Sequence, residues 1–182
     1  MATLTGPLGY PVPTTATVGS SDPKIALGTR ARDAAGNEYI WVDFQVPAYQ
    51  GEVLAISSTY TATDPTTATV GPVGIVVASS VTSDTCGWLQ IYGYSSALGS
   101  TLLVIGACSV GDSSDGISYL LPYSTTLTQC EGIYVTGNSS GGSDVSSATW
   151  TSAALSSQIG GLCSCVLNYP FISAGVHAIE SS

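Results

Sequence analysis

The side chains able to do chemistry are few and scattered along the chain. There is one histidine, His177, set in Ala174-Gly175-Val176-His177-Ala178. Hydrolytic triads need a base oriented by an acid, and no Gly-x-Ser-x-Gly elbow marks any serine as an activated nucleophile. Twelve acidic residues could in principle furnish a glycosidase pair across a cleft. Most of them, including Asp22, Asp33, Asp64, Asp84, Asp112, Asp115 and Asp144, sit in turn-like contexts, where Asp is favoured for backbone reasons alone. Asp112-Ser113-Ser114-Asp115-Gly116 is a fragment of a calcium loop without the closing acid. The five cysteines, Cys86, Cys108, Cys130, Cys163 and Cys165, include no CxxC pair. On a strand, Cys163 and Cys165 face one side, which makes them part of a core stripe of small hydrophobes. The expectation is a non-enzyme with no catalytic residue, no cofactor and no metal site.

The elements that carry these residues belong to an unusual composition. Charged residues make up 8% of the chain, far below the usual ~25%, and Ser, Thr and Gly replace Lys and Glu. Such a surface suits close packing against other protein. The net charge is −9, with only Lys24, Arg30 and Arg32 basic. Three cations cannot track a phosphate backbone, so nucleic acid is excluded as a partner, and anionic lipid would repel the chain. Mean hydropathy is +0.34, yet the apolar runs Val73–Ala78 and Leu102–Ala107 are far shorter than the ~18 residues a spanning helix needs. Met1-Ala2-Thr3-Leu4-Thr5-Gly6-Pro7 has neither a basic nor an apolar leader region. No membrane and a cytoplasmic origin are expected.

Residues 1–23 read as an extended arm, because Pro7, Pro11, Pro13 and Pro23 remove backbone donors. The arm nevertheless carries Leu4, Leu8, Tyr10, Val12 and Val18, a set suited to docking on a neighbouring subunit. From Lys24 the period becomes two. Glu38-Tyr39-Ile40-Trp41-Val42-Asp43-Phe44 follows the turn Asp33-Ala34-Ala35-Gly36-Asn37 and forms a hairpin signal. Strands are further expected at Glu52–Tyr60, Val70–Ala78 (an edge or bulge, given Gly71, Pro72 and Gly74), Cys86–Gly93 and Leu102–Ile105. Later strands are expected at Ser118–Tyr123, Gly132–Thr136 and Leu162–Leu167. Thr61–Thr69 and Asn138–Ser147 read as loops, and Ser152–Ile159 as the one short helix. Trp41 and Trp88 lie in apolar strands and belong to the core, whereas Trp150 lies in Ser/Thr-rich sequence and is the better contact residue. Strands at short intervals between turn signals predict an all-β fold, a β-barrel or β-sandwich with an extended N-terminal arm. The organisation expected is an arm at 1–23, a barrel core at 24–110, and a segment at 111–182 that completes the barrel or forms an outward-facing annex.

The serial order of several short motifs carries a further signal. Gly28-Thr29-Arg30-Ala31-Arg32-Asp33 and Gly36-Asn37-Glu38-Tyr39-Ile40-Trp41-Val42 are followed by Gly51-Glu52-Val53-Leu54-Ala55-Ile56. Val73-Gly74-Ile75-Val76-Val77 and Gly87-Trp88-Leu89-Gln90-Ile91-Tyr92-Gly93 come next. This order resembles the small β-barrel capsid decoration (cement) proteins of tailed bacteriophages, over about residues 24–107. The resemblance implies a homotrimer that binds the major capsid protein on the outer surface of the expanded head and stabilises the virion. Other virion β-structure (a head fibre, tail or receptor-binding domain) and a carbohydrate-binding module are the alternatives.

Overall fold

The computed structural model describes residues 15–17, 25–66, 69–100, 103, 105–112, 117–122, 128–137 and 159–173. These residues form strands and turns only, so the all-β expectation holds. The first strands are β1 (Thr15–Thr17), β2 (Arg30–Arg32), β3 (Glu38–Phe44), β4 (Ala48–Tyr49), β5 (Val53–Ile56), β6 (Thr61–Thr63), β7 (Gly71–Val76) and β8 (Ser80–Val81). The remainder are β9 (Thr85–Ser100), β10 (Gly106–Asp112), β11 (Ser118–Pro122), β12 (Thr128–Gly137) and β13 (Ile159–Ile172).

The hairpin β2–β3 forms where the turn chemistry predicts it. Asp33 Oδ1 accepts from the amides of Ala35 and Asn37 at 2.9 and 3.0 Å, and Asp33 Oδ2 accepts from the Asn37 amide group and the Tyr39 hydroxyl. Burial pushes the Asp33 carboxyl up, but these hydrogen bonds outweigh it and hold the group below its ordinary value. Other boundaries differ from the sequence expectation. The strand expected at Glu52–Tyr60 stops at Ile56, because Ser57 Oγ accepts the amides of Thr59 and Thr61 and closes a turn. Thr61–Thr63, expected as loop, is strand β6. Of the strand expected at Leu102–Ile105, residues 102 and 104 lie outside the described residues, Leu103 and Ile105 lie outside any strand, and β10 begins only at Gly106; the Leu103 amide donates to Ser100 O. Ile159, expected at the end of a helix, starts β13; residues 152–158 of that expected helix lie outside the described residues.

Strand β9 organises the molecule. Its first half pairs with β3 on one side, Trp88 opposite Trp41 and Leu89 opposite Ile40. On the other side it pairs with β1 and β7, with Val76 opposite Leu89. β3 pairs in parallel with β6, β6 with β5, and β5 with β7. The ladder β9-β3-β6-β5-β7 therefore returns to β9 and closes a five-stranded ring. The second half of β9 pairs with β13 over Ile159–Asn168 and in parallel with β11 at Leu120. β11 pairs with β10, β10 with β12 and β12 with β13, so a second five-stranded ring closes on the same strand. The two rings share one topology. In each, the first and third strands are parallel, the other four pairings are antiparallel, and β9 is the last strand of one and the first of the next. β7, expected at an edge or a bulge, is not at an edge: it lies inside the sheet with β5, β9 and β13 around it, and a Cβ at Gly74 would lie 2.8 Å from Leu89 Cβ, a close approach to β9.

Each ring has its own interior. Ile40, Val42, Phe44, Leu54, Ile56, Ala62, Val76, Leu89 and Ile91 fill the first, following the alternation of each strand. Ala97, Cys108, Val110, Leu120, Cys130, Ile133, Val135, Cys163, Cys165 and Leu167 fill the second. The opposite faces of β5 and β7, Val53, Ala55, Val73 and Ile75, join that second core. This burial on both faces explains the unbroken apolar run Val53-Leu54-Ala55-Ile56. Trp41 and Trp88, 1% and 0% exposed, pack edge to face with centroids 4.9 Å apart. They lie on the outer side of β3 and β9 under Ala31, Tyr39 and Ile25.

Candidate functional site

The expected arm contacts Leu4, Leu8, Tyr10, Val12 and Val18 lie outside the described residues, as do Trp150 and His177. The described part of the arm is β1, which adds a short antiparallel strand to β9 with Thr15 opposite Gly87 and Thr17 opposite Thr85. This pairing is with the chain's own sheet.

The cysteines behave as core. All five are free thiols, and Cys108, Cys130, Cys163 and Cys165 are buried. Desolvation pushes the Cys163 thiol up to about 11 and the Cys130 thiol up to about 12. Cys108 and Cys165 move in the same direction for the same reason. Neutral thiols in apolar surroundings are poor nucleophiles and poor metal ligands. No group of three or more His, Cys, Asp or Glu side chains among the described residues could hold a metal ion.

Two features stand out on the surface. The first is the outer face of the second ring, where β9, β13 and β12 run side by side. Val166 is paired with Tyr94 on one side and Tyr134 on the other, forming a cross-strand row. Tyr94 is 77% and Tyr134 55% exposed. The adjacent rows place Tyr92 opposite Asn168 and Ser96 opposite Ser164. None of these side chains carries a charge. An uncharged sheet face with exposed tyrosines has the chemistry of a protein contact, where aromatic anchors contribute most and charge is depleted.

The second feature is a cleft of about 540 Å³ at the open end of the first ring. Ile40, Ile56, Ile91 and Val73 line its apolar part, and Arg30, Ser57, Ser58, Tyr60 and Tyr169 its polar part. Two backbone irregularities place its tyrosines. Tyr60 has φ 62° and Tyr169 φ 49°, both left-handed. Tyr60 packs on Gly28, where a Cβ would lie 2.5 Å from the tyrosine ring. Tyr169 sits in an irregularity of the β12–β13 ladder, where Glu131 pairs with Phe171 but Ile133 with Leu167, leaving three β13 residues opposite one of β12. That bulge swings Tyr169 towards β3, where its hydroxyl donates to Glu38 Oε2 at 2.9 Å. This hydrogen bond is the main cause of the raised Tyr169 pKa. Glu38, buried, also accepts a hydrogen bond from Arg32 in an ion pair. Tyr92 packs beside Tyr169 with centroids 5.2 Å apart, and the Arg30 guanidinium lies over the Tyr169 ring at 5.7 Å.

Sequence reasoning missed these tyrosines. The signal available to it was compositional, ten Tyr against two Phe, with Tyr92 and Tyr94 two apart and so on one face of a strand. No protein-family model, no characterised protein and no solved structure matches the chain.

Proposed function

We propose that this chain is a capsid decoration protein of a tailed bacteriophage. It binds the major capsid protein on the outer surface of the expanded head, as a homotrimer, and stabilises the shell. The observation that carries the reading is the uncharged row Tyr94–Val166–Tyr134 on the outer face of β9, β13 and β12. It gives an uncharged, aromatic contact surface on a chain with a net charge of −9. The apolar side chains of the arm, Leu4, Leu8, Tyr10, Val12 and Val18, support the same reading, because such a set is suited to docking on a neighbouring subunit. So does the order of motifs over about residues 24–107, which resembles that family. Repetition over a lattice makes a weak single contact sufficient.

Co-sedimentation of the purified protein with expanded and unexpanded heads of its source virus tests this. Saturable binding to expanded heads alone is expected, and it reports the copy number directly. Absence of binding to either form rejects the decoration role and favours a tail or fibre component.

A further inference from the structure

The cleft at the open end of the first ring has no part in that proposal, yet it is built with care. Among the non-glycine residues described, only Tyr60, Asp84 and Tyr169 adopt left-handed backbone conformations. Two of those three line this one cleft. Such conformations persist where surrounding structure over-determines them, and they concentrate at ligand sites. Here Gly28 makes room for the Tyr60 ring, and Glu38 fixes the Tyr169 hydroxyl.

The two arginines of β2 differ in their partners. Arg32 is committed to Glu38, so that carboxylate's charge is matched. Arg30 is exposed and lies over the Tyr169 ring, with no carboxylate partner among the described residues. A cation–π contact uses none of the guanidinium's N–H donors on a carboxylate, and their fork geometry suits one. Ile40, Ile56 and Ile91 line the same cleft. A cavity of about 540 Å³ is in the range of small-ligand sites, where an apolar body sits against hydrophobic side chains and a few polar groups fix its orientation.

We propose that this cleft binds a small carboxylate with an apolar body, whether a free acid or the C-terminal residue of a peptide. The carboxylate pairs with the Arg30 fork, and the apolar part covers Ile40, Ile56 and Ile91. Sugar stacking is less well served, because Arg30 and Tyr92 already pack against the Tyr169 ring.

The test uses the full chain and three probes: N-acetyl-L-leucine, its carboxamide, and acetyl-Ala-Ala-Ala-Leu with a free C-terminus. Each is titrated against the ¹⁵N-labelled protein while amide shifts are followed. The acids should shift amide resonances of residues 28–30, 57–60, 169 and 171 and bind at least about tenfold more tightly than the carboxamide, as a charge-assisted pair predicts. Arg30→Gln should remove that preference. Arg30 is exposed, so the variant keeps the fold, and an unchanged spectrum away from the cleft verifies this. Equal affinity for acid and carboxamide, an unchanged preference in Arg30→Gln, or shifts confined elsewhere would overturn the proposal. Tetrapeptide affinity at or above that of N-acetyl-L-leucine assigns the site to chain ends, and lower affinity assigns it to free acids. Head co-sedimentation plays no part in this readout, so the two proposals fail independently.

Discussion

At the scale of single residues, burial decides what the reactive groups can do. Four thiols are enclosed in the second core, and desolvation raises each of them above the ordinary value of 9.0. A thiol whose folded pKa is raised stabilises the fold fully below the unfolded value and loses that contribution as pH climbs through the folded value. Stability should therefore fall between pH 9 and about 12, the range set by the Cys163 and Cys130 thiols. Urea midpoints measured at pH 8 and pH 10.5 check this, with the fall reduced in Cys163→Ala. At neutral pH an aromatic disulfide reagent should find at most one fast-reacting thiol, the partly exposed Cys86, in the native protein and all five after denaturation. Trp88 is wholly enclosed against Trp41. Its replacement by Ala should cost about 3–5 kcal/mol in urea unfolding. A loss near zero would mean the indole is not core.

At the scale of elements, β9 is the decisive piece, and Gly93 is its pivot. The residue stands between the half of β9 that serves the first ring and the half that serves the second. Its φ is +94°, and a Cβ there would lie 2.1 Å from Asn37 Oδ1. That same oxygen accepts the Tyr94 amide at 3.1 Å and so ties the β2–β3 turn to β9. Gly93→Ala meets both the left-handed penalty and the clash, and it should destabilise by more than about 1–2 kcal/mol. Asn37→Ala, which removes the obstacle, should make Gly93→Ala less costly, and a double-mutant cycle measures the coupling. Additive costs would show that the contact is not the cause.

At the scale of the whole molecule, two rings that share a strand and a continuous buried cluster should not unfold separately. Val53, Ala55, Val73 and Ile75 belong to strands of the first ring but pack in the second core. Loss of either ring exposes apolar surface of the other, which favours one cooperative transition. Trp41 and Trp88 report the first ring, and the buried thiols report the second. Tryptophan fluorescence and thiol exposure should therefore give coincident urea curves, and separated midpoints would reveal two independent units. The proposed capsid contact also belongs to this scale. Tyr94→Ser with Tyr134→Ser should weaken head binding at least about tenfold with little change in stability, because both side chains project into solvent. Deleting residues 1–21 should weaken head binding while leaving the strands of the rings folded. Unchanged binding would remove the arm from the interface.

The all-β class of this fold is legible in local patterning alone. Period-two patterning through Glu38–Phe44 and Cys86–Gly93, together with the Asp33–Asn37 turn, makes strands and a hairpin unavoidable, because these signals are local. The core placement of Trp41, Trp88, Cys163 and Cys165 was legible for the same reason: alternation assigns a face without knowledge of the partner strand. Tertiary structure alone decided that Thr85–Ser100 runs through Gly93 as one strand of two rings, since glycine at a positive φ reads locally as a stop. It also decided that β7, with Gly71, Pro72 and Gly74, lies inside the sheet. The tyrosines of the outer face and the cleft were hidden from sequence for a related reason. Which residue stands beside Tyr94, and where a bulge aims Tyr169, depends on register between strands tens of residues apart. Register is a property of pairing, which local composition does not record.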